Sequence, residues 1–331
     1  MTATLNQPGN AGPVTTDRLL PSPVESWERI GDQLGVRLLV KRDDLLPFPL
    51  PGNKVRKLTR ELSTRAVRPG DVVVTTGDVD SNHCRTTALI GARLGLDVDL
   101  VLHSRSDASS EALSIRMAQA LGAQVHLVRL TEVRDRIEAL RRLRTRSGRT
   151  VHVIPGGCHT RSGVEAYAEA AAELLGQLGS APDVVVLASG TGATQAGLVA
   201  GLARAGCRTR VVGISVARPA DRGGAAVREA LSWLDAEVPV EFLDDFVDGG
   251  YGMAQAGTRE TVRQAWRLGL PLDPTYTGKA FRGLTELTRS GSIPPQATVV
   301  FWHTGGLMNQ LTDLSRGGAG MTRDGGDPEP R

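Results

Sequence analysis

The hydrophobic pattern of this chain alternates short apolar runs with amphipathic stretches. The apolar runs are rich in valine and nearly unbroken, which is typical of parallel strands buried on both faces. They predict seven strands: Asp71–Thr76, Asp97–His103, Gln124–Leu130, Thr150–Ile154, Asp183–Ala188, Arg208–Val216 and Ala297–His303. The stretches between them have helical periodicity and predict nine helices: Val55–Val67, Asn82–Leu94, Ser110–Leu121, Glu132–Thr145, Ser162–Leu178, Thr194–Ala205, Ala225–Leu234, Gly257–Leu268 and Lys279–Thr288. This alternation predicts an α/β fold with a doubly wound, largely parallel sheet.

Length and composition narrow the class of protein. The chain has 331 residues, which suggests two domains. Hydrophobic residues make up 40% and charged residues 23%, which is typical of a soluble globular protein and not of a disordered one. A net charge of +3 gives no reason to expect nucleic acid or a membrane surface as partner, and no apolar run approaches the ~18 residues of a membrane span. The N-terminus lacks a signal-peptide pattern, so we expect a cytoplasmic protein with frayed ends at 1–15 and 314–331.

The cysteines and lysines bear on the chemistry in different ways. The three cysteines form no CxxC pair, so we expect neither a disulfide framework nor a metal site. The four lysines among 39 basic residues are Lys41, Lys54, Lys57 and Lys279. A lysine can lose its proton and attack a carbonyl, whereas an arginine stays protonated. Each lysine is therefore a candidate for chemistry, although chance retention explains any single one of them equally well.

A loop rich in glycine and threonine, residues 189–194, follows the predicted strand Asp183–Ala188. A helix begins directly after the loop, so backbone N–H groups and the positive helix end would face an anion there. Gln195 stands where a dinucleotide fingerprint would need glycine, so the loop is not that motif. It is not a P-loop either, because no GK[ST] follows. We interpret it as a phosphate site; the alternative is a tight turn that binds nothing.

Lys54 follows Gly52 and Asn53 at a predicted helix start. The helix dipole and a nearby cleft would favour the neutral amine of this lysine, and a neutral lysine can form a Schiff base with an aldehyde cofactor. An ordinary basic first turn would show the same spacing, so the residues alone leave both interpretations open.

Three further segments combine polar residues with the ends of predicted elements. Ser81 precedes a helix and could cap it, and the backbone donors beside it would suit a carboxylate. The other two segments, 273–280 and 302–306, are loop-like and lie where doubly wound folds bind ligands.

Six motifs occur in series between about residues 20 and 310: Lys-Arg-Asp-Asp, Gly-Asn-Lys-x-Arg-Lys-Leu, Ser-Asn-His-x-Arg, Ser-Gly-Thr-Gly-Ala-Thr-x-Ala-Gly-Leu, Asp-Pro-x-Tyr-Thr-Gly-Lys-Ala and His-Thr-Gly-Gly. The series resembles the pyridoxal-phosphate enzymes that include D-cysteine desulfhydrase and 1-aminocyclopropane-1-carboxylate (ACC) deaminase. The resemblance implies pyridoxal 5'-phosphate as cofactor, a small amino acid as substrate, and a homodimer. It also implies fold type II, that of the tryptophan synthase β-subunit. Residues 1–50 and 163–331 would form a large domain and 51–162 a small one, each with an open, largely parallel sheet flanked by helices.

The resemblance also implies roles for individual residues. Lys54 would hold the cofactor as a Schiff base, Asn82 would hydrogen-bond its ring oxygen, and Thr277 would face its pyridine nitrogen. The phosphate would be held by Lys57, Gly190, Thr191, Gly192, Ala193 and Thr194. The implied catalytic groups are Lys54, Ser81, Tyr251 and Tyr276. The implied substrate contacts are Asp80, Ser81, Asn82, His83 and Trp302.

Thr277 bears on the choice of reaction. The resemblance implies that ACC deaminases place a glutamate there and desulfhydrases a threonine, which leaves the ring nitrogen neutral. A neutral ring suffices when a good leaving group departs from Cβ. We therefore expect α,β-elimination from a β-substituted, D-configured amino acid, which gives an α-keto acid and ammonia. ACC deamination, β-replacement in a specialised pathway and a non-catalytic cofactor-binding protein are the alternatives.

Asp78 and Asp80 depart from the family pattern Gly-Gly-x-Gln-Ser-Asn. They stand beside the turn that is expected to bind the substrate carboxylate. Two carboxylates there would repel a plain anionic substrate unless they face a cation or solvent.

Overall fold

The computed structural model describes residues 21–104 and 112–315. Ten strands are named in it: β1 Val24–Ser26, β2 Arg37–Arg42, β3 Val72–Asp78, β4 Asp97–His103, β5 Gln124–Val128, β6 Val151–Ile154, β7 Val184–Ser189, β8 Arg210–Ser215, β9 Glu241–Leu243 and β10 Thr298–His303. Its α-helices are α1 Glu28–Leu34, α2 Asn53–Thr64, α3 Asn82–Leu94, α4 Leu113–Ala120, α5 Val133–Arg146, α6 Arg161–Leu178, α7 Ala193–Arg204, α8 Ala220–Ser232, α9 Ala256–Arg267, α10 Thr277–Arg289 and α11 Leu307–Ser315. The expected frayed start at 1–15, the end after 315 and the helix start at Ser110 lie outside the described residues.

The strands form two separate sheets. A six-stranded sheet has the order β1-β2-β10-β7-β8-β9, in which only β1 is antiparallel to its neighbour. A four-stranded sheet has the order β5-β4-β3-β6 and is parallel throughout. The predicted α/β class with two largely parallel sheets is therefore confirmed.

Buried apolar side chains cover both faces of each sheet. Along β10, successive side chains alternate between two clusters, so that Phe301 packs on one face of the large sheet and Trp302 on the other. Helix α6 packs closely on α7 and α2, and α2 also contacts α3. This packing places the first turn of α2 between the two sheets. The predicted domain boundaries at residues 51 and 162 stay a prediction.

The loop before α2 is fixed against the end of β10. Gly52 and Gly305 form an isolated antiparallel bridge, and the Asn53 N–H donates to Thr304 O at 3.0 Å. Gly52 has a φ of 140°, and a β-carbon there would lie 2.8 Å from the Thr304 oxygen. The start of α2 therefore requires glycine at this position.

Across the described ranges, every helix is too short or too polar to cross a membrane.

Candidate active site

A cavity of about 520 Å³ lies where the carboxyl ends of strands from both sheets meet. The turns after β3, β6, β7 and β8 and the first turn of α2 form its walls. Open α/β sheets bind ligands at such an edge. The cavity brings together eleven of the predicted site residues: Lys54, Lys57, Ser81, Asn82, His83, Gly190, Thr191, Gly192, Thr194, Tyr251 and Tyr276.

Lys54 lies in the first turn of α2 and is held by its neighbour. Its Nζ donates to Asn53 Oδ1 at 2.9 Å, and Asn53 Nδ2 donates to Thr194 Oγ1 at 3.2 Å. Burial, and then the positive charge of Lys57, lower the pKa of Lys54 well below its usual value. A lysine with such a pKa supplies the unprotonated amine that Schiff-base chemistry requires.

Lys57 lies one turn further along α2 and is fully buried. Its Nζ donates to Gly157 O at 2.6 Å, and burial lowers the pKa of Lys57 to about 8. Gly157 has a φ of 71°, and a β-carbon there would lie 2.8 Å from Thr191 Cγ2. The close approach places the Lys57 ammonium beside the loop that contains Thr191.

The loop after β7 offers several unpaired donors. Helix α7 begins at Ala193, and its N-cap, Gly192, has a φ of 97° and no side chain to cap the first N–H groups. Within the described chain the Ser189 hydroxyl is buried and has no hydrogen-bond partner. Thr194 Oγ1 accepts from Asn53, so its own proton stays available to donate. Ala193 could contact the phosphate only through its backbone, because its methyl group is buried in the core.

The turn after β3 places a second helix end at the cavity. Ser81 is the N-cap of α3, and its Oγ accepts from the Cys84 N–H at 3.4 Å. His83 Nε2 is 2.8 Å from Thr75 Oγ1, whereas His83 Nδ1 is buried without a partner among the described residues. Burial and the two nearby lysines lower the pKa of His83 well below its usual value, so the ring is neutral.

The two aspartates of this turn have different surroundings. Asp78 lines the main cavity, and its negative charge contributes to the raised pKa of both Tyr251 and Tyr276. Asp80 Oδ1 accepts from Ser114 Oγ at 2.9 Å, and Asp80 lines a separate cavity of about 80 Å³. Asp78 and Tyr251 line this smaller cavity as well. The predicted substrate contact of Asp80 stays a prediction.

Tyr251 and Tyr276 form a pair at the edge of the cavity. Their hydroxyl groups hydrogen-bond to each other, and burial raises the pKa of both above the usual value, so both stay protonated. Lys279 donates to Val247 O at 2.7 Å and to Gly250 O at 2.8 Å. These bonds fix the loop that carries Tyr251.

Comparison with known proteins places this geometry in a family. The model of the family "Pyridoxal-phosphate dependent enzyme" matches residues 15–305. The chain belongs to this family. A protein of Pyrococcus horikoshii with the provisional name 1-aminocyclopropane-1-carboxylate deaminase is 33% identical over 298 residues, which cover 86% of this chain and 89% of that protein. Its counterpart in Pyrococcus furiosus, with the same provisional name, is 32% identical over 303 residues, with the same two coverages.

Solved structures agree. A crystal structure described as an ACC deaminase homologue has a TM-score of 0.81 at 32% identity and covers 90% of this chain and 94% of its own. Threonine deaminase isoform 2 from Solanum lycopersicum shares the fold, with a TM-score of 0.67 at 20% identity and coverages of 92% and 90%. The expected family, fold type II and cofactor are thereby confirmed, and the protein is a pyridoxal-phosphate-dependent lyase or deaminase.

The residues present fit pyridoxal phosphate. A buried amine of lowered pKa lies on one wall, and the loop of unpaired N–H groups with the partnerless Ser189 hydroxyl lies on the same cavity. Backbone donors at a helix N-terminus, a hydroxyl and a buried ammonium are the groups that hold a phosphate dianion. Lys54 would hold the aldehyde carbon, and Lys57, Ser189 and Thr194 would hold the phosphate.

Thr277 is not at this cavity. Its Oγ1 donates to Asp273 Oδ1 at 2.8 Å and accepts from the Asp273 N–H at 2.9 Å, and Thr277 is fully buried. Asp273 also accepts from the backbone N–H groups of Tyr276 and Thr277. Asp273 and Thr277 therefore stabilise the start of α10. Asp273 is thus the hydrogen-bond partner of the Thr277 hydroxyl in this structure. The contact of Thr277 with the pyridine nitrogen stays a prediction.

Trp302 does not contact the cavity either, so the predicted substrate contact is wrong. Its Nε1 donates to Asp43 Oδ2 at 2.8 Å, and its ring packs edge-to-face on Tyr167 at 5.8 Å. The strand alternation of β10 turns this indole into the core, where it is fully buried.

The cavity lining includes His159 and Arg218, to which the sequence analysis assigned no role. His159 Nδ1 is buried without a partner in the described part of the chain, and burial, Lys57 and Arg218 lower the pKa of His159 to about 4. Arg218 follows the carboxyl end of β8, and His159 follows that of β6. The rule that ligands bind at strand ends would have selected both.

Proposed function

We propose that this protein deaminates a small β-substituted amino acid by α,β-elimination, in the manner of D-cysteine desulfhydrase. The observation that carries the proposal is that one cavity contains a buried amine of lowered pKa and a protonated tyrosine pair. An elimination needs both, because a proton leaves Cα and another must reach the departing group. Water completes the balance: RS–CH2–CH(NH3+)–COO− + H2O gives RSH, pyruvate and ammonium.

The cofactor supplies the electron sink for the electron pair left at Cα. Lys54 would take that proton, and its lowered pKa supports this role because it makes the amine a base at neutral pH. Ser81 remains a second candidate for this step. Its Oγ already accepts from the Cys84 N–H, and that bond favours a binding role over a basic one.

The substrate carboxylate would lie at the N-terminus of α3. Ser81 and Asn82 begin this helix and line the cavity, and a helix N-terminus stabilises a carboxylate. With the carboxylate at this helix end, the β-substituent of the substrate would face the side of the cavity that Tyr251 and Tyr276 line. Tyr251 and Tyr276 are hydrogen-bonded to each other, so one can donate a proton to a leaving thiolate while the other stabilises the remaining oxygen.

Deamination of ACC is the second candidate. Two relatives above 30% identity have that enzyme's provisional name, and the structure at a TM-score of 0.81 is described as its homologue. ACC carries no hydrogen on Cα, so its reaction begins with ring opening and yields 2-oxobutyrate and ammonia. The product therefore distinguishes the two reactions.

The test is a product assay on the purified holoenzyme. D- and L-cysteine, D- and L-β-chloroalanine and ACC are each incubated with the protein, and pyruvate, 2-oxobutyrate and ammonia are measured. We expect pyruvate from one enantiomer of the β-substituted alanines, and none from Lys54→Arg. 2-Oxobutyrate from ACC alone would establish the second candidate. A visible spectrum that no amino acid changes would contradict both and favour a non-catalytic protein.

A homodimer and a cytoplasmic location are part of this proposal. Size-exclusion chromatography with light scattering tests the first, and cell fractionation tests the second.

A further inference from the structure

Arg85 is a buried arginine of α3 whose charge has no direct carboxylate partner among the described residues. Its side chain is 3% exposed. Nη1 donates to Ser114 Oγ at 2.8 Å, and Nη2 donates to both Asn82 Oδ1 and Asn309 Oδ1. Ser114 in turn donates to Asp80 at 2.9 Å. The guanidinium is thus bonded to three neutral oxygens and reaches a carboxylate only through a hydroxyl.

This arrangement determines which end of the Asn82 amide faces the cavity. An amide presents an oxygen that accepts and an NH2 that donates, and the two ends are easily exchanged by rotation. Arginine has donors only, so its contact admits the amide oxygen and excludes the NH2. With Oδ1 of Asn82 held by Arg85, Nδ2 is the end left for the cavity that Asn82 lines.

Asn309 shows the same constraint from the other side of the site. It lies in α11, which follows the large sheet, whereas Asn82 and Arg85 lie in α3 beside the small sheet. The Asn309 oxygen accepts from Arg85, and in the described structure its Nδ2 is buried without a partner. A buried donor without a partner is costly, so the bond to the guanidinium must outweigh rotation of the amide. Arg85 therefore also links α3, beside the small sheet, to α11, which follows the large sheet.

We propose that Arg85 is a positioning residue that directs the Asn82 NH2 to the ring oxygen of the cofactor. The proposal rests on the proposed site, in which Asn82 faces that oxygen. A donor to the ring oxygen stabilises its ionised form, so it lowers the pH at which the visible band of the bound cofactor titrates. Loss of the donor raises that pH.

The experiment measures this titration midpoint on the resting holoenzyme without substrate. The variants are Arg85→Lys, Arg85→Met, Asn82→Ala and the double variant Asn82→Ala/Arg85→Met, with unfolding and cofactor content recorded for each. Lysine keeps the charge but lacks the planar fork that contacts several oxygens at once. We expect both Arg85 variants and Asn82→Ala to raise the midpoint by about one pH unit, the size of a lost hydrogen bond to a charged form.

The double variant decides between positioning and an independent effect. If Arg85 acts through Asn82, Arg85→Met adds less than a third of its shift when Asn82 is already alanine. A full additional shift in the double variant would overturn the proposal, because Arg85 would then act independently of Asn82. An unchanged midpoint in Asn82→Ala would overturn it as well.

Ser114→Ala gives an independent check if the Arg85 variants lose their cofactor. It removes one of the guanidinium's partners and leaves both Arg85 and Asn82 in place. We expect a smaller rise of the midpoint, and no rise would count against the proposal. None of these readouts needs turnover, so an inactive protein with the expected titrations would contradict the proposed function and leave the role of Arg85 standing.

Discussion

Replacement of Thr194 by valine tests the phosphate site directly. Valine has nearly the same shape, so the change removes a hydroxyl and little volume. That hydroxyl accepts from Asn53 at 3.2 Å, and its proton is free to donate to an anion in the loop. A hydrogen bond to a charged group contributes about 1.5–3 kcal/mol. Loss of this bond should weaken cofactor binding roughly 10- to 150-fold.

The assay is a titration of the apoprotein with pyridoxal phosphate, followed by the visible absorbance of the bound form. Thr209→Val is the matched control. Its hydroxyl donates to Pro182 O at 2.7 Å at the amino end of β8, away from the cavity. We expect a parental dissociation constant for the control and a strongly raised one for Thr194→Val. Equal constants for the two variants, with both folded, would refute the assignment of the loop as phosphate site.

Three further changes follow from the same contacts. Lys57→Gln should flatten the pH dependence of cofactor affinity. Because the pKa of Lys57 is about 8, the parental protein loses its ammonium, and with it affinity for the cofactor, as the pH rises past 8. A variant with the parental pH profile would contradict this. Asp43→Asn should lower the free energy of unfolding, measured in urea at pH 7, by about 1.5–3 kcal/mol. Buried Arg56 then loses one carboxylate partner at 3.0 Å and keeps Glu173 at 2.8 Å. Burial raises the pKa of Asp43, but Arg56 holds it below the usual 3.8. The parent therefore loses this stability only as the pH falls below that value. If Asp43→Asn lowers the free energy of unfolding by under 1 kcal/mol at pH 7, Asp43 does not have this stabilising role. Tyr276→Phe should slow substrates with poor leaving groups more than those with good ones in steady-state assays, and an equal loss for both would exclude it as the acid.

Most of the fold was predictable because its buried parallel strands are unbroken apolar runs. All seven predicted strands occur, with ends that differ by a few residues. β2 was missed, since only Leu38–Val40 is apolar and two cations follow. In the fold Lys41 is fully buried and pairs with Glu173, while Arg42 pairs with Asp44 at 2.7 Å. Glu173 is 132 residues away, so no local pattern could show that Lys41 belongs inside.

The site was predictable where chemistry follows directly after a strand or begins a helix. Lys54 lies at a helix start, the loop after β7 follows a strand and precedes a helix, and both line one cavity. Trp302 was misplaced because a motif gives proximity along the chain but not the face of the strand. For the same reason the motif did not show that Asp273 is the partner of the Thr277 hydroxyl. The Arg85–Asn309 bond joins residues 224 apart and had no sequence signal at all.

The central claim is that Lys54 is the lysine that binds the cofactor, and borohydride reduction tests it most directly. Reduction fixes the cofactor to its lysine, and peptide mass mapping locates the adduct. Lys41 donates to Ser22 O at 2.8 Å and Lys279 to three backbone carbonyls, which directs both ammonium groups away from the cavity. We expect the adduct on Lys54 and its loss in Lys54→Ala. An adduct on Lys41, Lys57 or Lys279 in the parent protein would contradict the account.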